Sequence, residues 1–208
     1  MYKKLCKHLI VLTATTAASI ANANLLVNGD FENPHLAPGA WSVFSSISGW
    51  TTSSGPGIEI ENNTIVTAQS GQQYVELDSH ANSSMAQTIT GLSVGNNYDL
   101  SFWYRARTNN LQNDNGINMY WGDTSPGDLN LAIANVTANQ GGWTEYLRTL
   151  TATDSTMYLG FAAVGLNNSL GGFIDNVQLT AARPVPEPVS LGLFSLGFLG
   201  LMAARRKA

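Results

Sequence analysis

From Asn24 to Thr180 hydrophobic and polar positions alternate in short runs rich in Thr, Val, Ile and aromatic residues, separated by clusters of Gly, Asn, Ser and Asp. No stretch repeats apolar residues at the 3.6-residue spacing of an amphipathic helix, so this body reads as all-β. The clearest strand is YDLSFWYRAR. Its alternation sends Tyr98, Leu100, Phe102, Tyr104 and Ala106 to one face, the core, and Asp99, Ser101, Trp103, Arg105 and Arg107 to the other. Further strands are predicted at GIEIEN, QQYVELD, SMAQTI, GINMYW, LNLAIANV, TEYLRTLTA, TMYLGFAAV and GGFIDNVQLT, with turn residues between them such as DNG at 114–116 and DTSPGD at 123–128. Roughly ten strands in one body suit a two-sheet jelly-roll β-sandwich rather than a single small barrel.

The pattern changes at both ends. Residues 1–23 combine a basic start (Lys3, Lys4, Lys7), an apolar stretch from Leu9 to Ile20 and the small-x-small sequence Ala21-Asn22-Ala23. This is the form of a secretory signal peptide, read by the Sec export machinery and cut before Asn24. The apolar stretch is short of the roughly 20 residues that a spanning helix needs. Past Thr180, Arg183, Pro184, Pro186 and Pro188 make an extended linker that cannot pair inside a sheet. An apolar run of 16 residues follows, Val189 to Ala204, and then Arg205-Arg206-Lys207. As a helix the run is about 24 Å long against a hydrocarbon core of about 30 Å, a marginal membrane span with its basic end cytoplasmic. The predicted organisation is therefore signal peptide 1–23, β-sandwich 24–182, linker 183–188, hydrophobic transmembrane helix 189–204 and basic tail 205–208.

Charge sharpens this division. The formal net charge is −4, but between Asn24 and Ala182 only Arg105, Arg107 and Arg148 oppose thirteen acidic residues, which leaves the body at −10. Nucleic acid and anionic membrane surfaces are poor partners for such a body, whereas calcium, neutral sugars and cationic surfaces are compatible with it. The single cysteine, Cys6, lies within the signal peptide. The exported protein thus has no thiol, which excludes disulfides, cysteine zinc sites and cysteine nucleophiles.

Few patterns carry chemistry. GLSVG at 91–95 has the Gly-x-Ser-x-Gly spacing of a hydrolase nucleophile elbow, but a strand follows Ser93 where a helix is required, and no histidine comes after His80. His35 and His80 stand alone and read as loop residues, and NDNG fails both ends of an EF-hand loop. Glu59 and Glu61 alternate on one face of their strand, as do Glu76 and Asp78 on theirs. Such positions are ordinarily solvated; should the two strands be neighbours, the like charges would need a cation, a solvent gap or a raised pKa. Candidate sugar-stacking groups are Trp103 beside Arg105, Tyr120 beside Asn118, and Tyr158, each opposite in parity to the apolar positions of its strand. Trp41, Trp50 and Trp143 lie near turns and are expected to plug the ends of the sandwich.

Two parts of the chain resemble known families. NLLVNGDFENP at the start of the body and GGFIDNVQLT at its end, with ISGWTTSSGPGIEI, SGQQYVELD and QTITGLSVGNNYDLSFWYRAR between, resemble galactose-binding-like jelly rolls. These include many carbohydrate-binding modules and a domain of unknown function shared by plant cell-wall and bacterial secreted proteins. The resemblance implies a structural calcium between the first loop and the last strand, with Glu32 and Asp175 as ligands and Asp30 less directly. The tail, with Val185-Pro186-Glu187-Pro188, the hydrophobic run and Arg205-Arg206, resembles the PEP-CTERM sorting signal of Gram-negative bacteria. That resemblance implies export, a transient membrane anchor, processing by an exosortase, and a place at the cell surface or in extracellular material. Together they point to a non-enzymatic protein that binds carbohydrate or exopolysaccharide. The alternatives are a carboxylate-dependent polysaccharide enzyme using residues such as Glu59 and Glu76, and a structural or adhesive matrix protein.

Overall fold

A computed structural model describes residues 23–109, 114–123, 132–136 and 141–182. The expected signal peptide up to residue 22, the proline-rich linker, the hydrophobic run 189–204 and the basic tail lie outside the described residues. Within them every regular element is a strand: β1 (Trp41–Phe44), β2 (Ser46–Ile47), β3 (Trp50–Ser54), β4 (Ile58–Asn62), β5 (Gln73–Glu76), β6 (Ser84–Thr90), β7 (Asn97–Arg105), β8 (Gly116–Gly122), β9 (Ala132–Val136), β10 (Thr144–Thr151), β11 (Thr156–Val164) and β12 (Phe173–Ala181). They form two six-stranded antiparallel sheets, ordered β1-β4-β5-β12-β7-β10 and β2-β3-β6-β11-β8-β9. This is the all-β sandwich that the alternation predicts. GLSVG is the turn between β6 and β7, with Gly91 and Gly95 at φ 77° and 83°, where glycine is favoured.

Three strands escape the sequence pattern. WSVFSSISGWTTSS, 41–54, is too rich in Ser and too broken by Gly49 to show a long alternation, yet it supplies β1 to the first sheet and β2 and β3 to the second. Its anchor is Trp50, fully buried, whose ring meets Phe31 at 5.7 Å and Phe161 at 6.1 Å and whose Nε1 donates to the Asn28 carbonyl at 3.2 Å. Phe161 in turn meets Phe102 at 5.1 Å, and Phe102 stacks on Tyr146 at 5.4 Å, so a chain of rings crosses the core from one sheet to the other. Each such side chain, fully buried, contributes about 1.5–3 kcal/mol. Trp41, by contrast, is 52% exposed and plugs nothing.

The first residues of the body are laced to the last strand. Leu25 N–H donates to Leu179 O at 2.8 Å, Val177 N–H to Gly29 O at 2.7 Å, and the Asn24 carboxamide oxygen accepts from both Leu26 and Leu179 N–H. The two ends of the domain thereby close on each other without a disulfide.

Candidate functional site

Strand pairing decides what the polar positions of the first sheet do. Glu59 stands directly opposite Glu76, Glu61 opposite Tyr74, Phe173 opposite Arg105, and Asp175 opposite Trp103. All of these side chains leave the outer face of the sheet, since Ile58, Ile60, Val75, Ile174 and Tyr104 between them are core residues. The expectation that Glu59, Glu61, Glu76 and Asp78 are solvated is corrected here. They are 7%, 2%, 0% and 0% exposed, because loops from neighbouring strands lie over this face.

One cover is the β4–β5 connection, which folds back as a strap. Ile65 and Val66 N–H donate to the Tyr74 hydroxyl at 3.1 and 3.2 Å, and Trp143 Nε1 donates to Thr67 O at 2.8 Å while its ring meets Tyr74 edge-on at 5.9 Å. Gln69 and Ser70 N–H donate to Asp175 Oδ2 at 2.7 and 2.9 Å, and Gln72 and Gln73 N–H to Glu32 Oε1 at 2.6 and 2.8 Å. The other cover is the turn before β12, where Gly171 N–H donates to Glu76 Oε1 at 2.6 Å. A β-carbon on Gly171 would come within 2.9 Å of Asp78, so only glycine lets this turn sit so close.

Beneath the covers, oxygens of Glu59, Glu61 and Glu76 lie within 4.8 Å of one another. Tyr74 donates its hydroxyl proton to Glu61 Oε2 at 2.7 Å, and Arg107 forms an ion pair with Glu76. Three carboxyls facing one guanidinium in a buried site cannot all stay ionised without a shared proton or a bound cation to offset them. Burial, and then the Glu61 charge, pushes Glu59 up to about 7 against the opposing pull of Arg107. Burial also raises Glu76 although Arg107 and Gly171 N–H favour its anion, and the Tyr74 phenol is pushed up and stays neutral. Glu76, sealed from solvent with both oxygens engaged, is placed as a structural group and not as one that meets a substrate.

The two carboxylates assigned to calcium by resemblance, Glu32 and Asp175, both hold the strap. Asp175 is fully buried, and its pKa is raised to about 7, mainly by burial and further by the Glu32 charge, while N–H groups of Ser70, Asn176 and Gln69 pull it down. Both Asp175 oxygens and Glu32 Oε1 accept backbone N–H groups, so these two carboxylates are already engaged in holding the fold. Asp30 is exposed in the turn before Phe31 and does not join Glu32 and Asp175 at the strap. The five residues assigned to sugar contact separate onto opposite faces. Trp103 and Arg105, half-buried, are on the outer face of the first sheet; Asn118, Tyr120 and Tyr158, also half-buried, are on the outer face of the second. Sequence reasoning missed Tyr74 and the strap. Their signal, Tyr74 in register with Glu61, exists only once β4 and β5 are paired.

The two packed sheets make an all-β sandwich, and the comparison with known families gives its class, that of carbohydrate-binding domains. The chain belongs to the carbohydrate-binding-domain family, whose model matches residues 23–164, and residues 184–207 match the PEP-CTERM protein-sorting motif. A multifunctional-autoprocessing repeats-in-toxin protein of Vibrio cholerae is 28% identical over 164 residues, 79% of this chain; the chain spans 3% of that protein's length. Two cleaved adhesin domains of Lys-gingipain from Porphyromonas gingivalis share the fold. One has a TM-score of 0.53 and 18% identity over 69% of this chain and 98% of its own, the other 0.50 and 20% over 78% and 100%.

Proposed function

We propose that this is an exported surface protein, sorted through its PEP-CTERM tail by an exosortase, whose body binds carbohydrate without transforming it. The observation that carries the reading is the family match over 23–164 joined to a sorting motif at 184–207. The outer face of the first sheet supports it chemically. Trp103 lies between Asp175 and Glu145 in register, with Arg105 two positions along the same strand. With Asp175 buried and engaged by the strap, a flat aromatic beside the exposed Glu145 carboxylate and the Arg105 guanidinium offers the stacking surface and hydrogen-bond partners that a pyranose ring uses. Glu32 and Asp175 would hold a calcium that ties the first loop and the last strand, a structural role that gives the domain the closure a disulfide supplies elsewhere.

The test is retention of the full-length chain, purified in detergent, by exopolysaccharide from the producing cells and by a polysaccharide panel. Trp103→Ala is expected to lose about tenfold or more in affinity while its melting temperature changes little. A wild-type chain that binds no carbohydrate overturns the reading, and release of sugar products from the polymer would replace binding by catalysis.

A further inference from the structure

We propose that the pole of the sandwich from which the tail leaves is a docking surface for the exosortase that processes the tail, so that the enzyme meets the folded body together with the sorting motif. The inference rests on the reading of the tail as an exosortase substrate, and adds to it a surface on the body.

Chain length is the first argument. The sheet holds the body up to the start of the linker: Ala181 pairs with Tyr98, and Ala182 N–H donates to Asn97 O at 3.0 Å. Val185-Pro186-Glu187-Pro188 begins three residues after Ala182, inside the matched motif. Three residues span at most about 10 Å. A domain of only about 100 residues already has a radius of gyration of about 13 Å, so an enzyme that encloses the motif meets the surface around Ala182. The body has no slack to give. β12 lies inside the first sheet, between β5 and β7, and beyond β5 its free side is taken by the N-terminal segment, where Leu25 N–H donates to Leu179 O. Lengthening the tether would peel β12 from neighbours on both sides and pull the buried Leu179 out of the core.

Topology shows what that surface is. Gly95 N–H donates to Ala152 O at 2.8 Å and Ala152 N–H to Asn96 O at 3.0 Å, which joins the β6–β7 and β10–β11 turns beside Asn97. Val94 stands near the tip of the first turn, 63% exposed, and Leu25, 40% exposed, lies on the other flank of β12. Two exposed apolar side chains thus bracket the exit of the tail, with Asn96 and Asp154 exposed alongside. The turns at 91–97 and 152–155 contain no Lys or Arg, and the body carries −10. An anionic lipid surface is therefore repelled from this pole, whereas a protein face with apolar groups for Leu25 and Val94 and hydrogen-bond donors for Asn96 and Asp154 fits it.

The experiment follows, in producing cells, conversion of the exported full-length chain to its processed form, read as the loss of tail mass. Val94→Asp and Asn96→Arg change exposed turn positions, and each is expected to slow conversion about fivefold or more while the melting temperature stays as in wild type. Leu166→Asp, at an exposed position in the turn before β12 at the opposite pole, should leave the rate unchanged. A Gly-Ser spacer of about twelve residues between Ala182 and Arg183 is expected to bring both variants to the rate of the wild-type body on the same spacer, because the enzyme then reaches the motif clear of the body. The inference fails if Val94→Asp and Asn96→Arg are processed at the wild-type rate on the native linker, or if the spacer leaves them equally slow. In either of those cases the tail itself remains a substrate. A wild-type chain that is never processed overturns the sorting reading and this one together.

Discussion

In the buried cluster Glu61 accepts from the Tyr74 hydroxyl and Glu76 pairs with Arg107, while Glu59 sits opposite Glu76 with its anion disfavoured by burial, and its behaviour with pH follows from that. Its folded pKa lies near 7, above the 4.5 of an ordinary Glu, because burial and the Glu61 charge disfavour its anion. The fold thus holds this proton more tightly than the unfolded chain does. Its contribution is complete below about pH 4.5 and is lost as pH climbs through about 7, a change of a few kcal/mol at most. Thermal melts of the wild type between pH 5 and 8.5 should fall over this window. Asp175 and Glu76, also raised by burial, add to the slope with the same sign, so Glu59→Gln, which keeps the shape and never ionises, should make it shallower without abolishing it and melt higher than wild type at pH 8. A slope unchanged in the variant would place the proton elsewhere in the cluster.

Among the elements, the N-terminal segment and the strap carry the site without being regular structure. Gly29 passes so close to β12 that a β-carbon there would sit 2.0 Å from Val177 O, a backbone atom that cannot swing aside. Gly29→Ala is therefore expected to break the Val177–Gly29 hydrogen bond, lift the first residues from β12 and lower the melting temperature by several degrees, about 1–3 kcal/mol. Amide hydrogen exchange should locate the loss at Leu25 and Val177. Protection retained at both, with an unchanged melt, would show that the backbone yields locally. Sequence alternation located nine of the strands because each repeats apolar residues at period two over several positions. It misjudged β4 and β5 for a physical reason. IEIEN and QYVE read as half-wet strands, and only the strap, folded over their outer face, buries both sides.

For the whole molecule, closure of first loop on last strand is where calcium would act. At about a hundred times its dissociation constant an ion bound only to the folded state adds about 2.7 kcal/mol, or some 5–10 °C in melting temperature for a body of this size. Melts of the full-length chain with calcium and with a chelator are expected to differ by that order, and Asp175→Asn is expected to erase the difference. Superimposed curves for the wild type would remove calcium from the account.

The chain by itself determined its fold class and its sorting motif. Period-two alternation favours strands, and the proline-flanked tail is a linear signal legible without the fold, matched by the sorting motif at 184–207. Which side chains meet was decided only by tertiary structure. Glu59 faces Glu76, Tyr74 reaches Glu61, and the charged residues gather on one sheet while Tyr120 and Tyr158 share the uncharged other. Contacts between strands far apart in sequence depend on register and on loops laid over a face, and neither leaves a local trace in the order of residues.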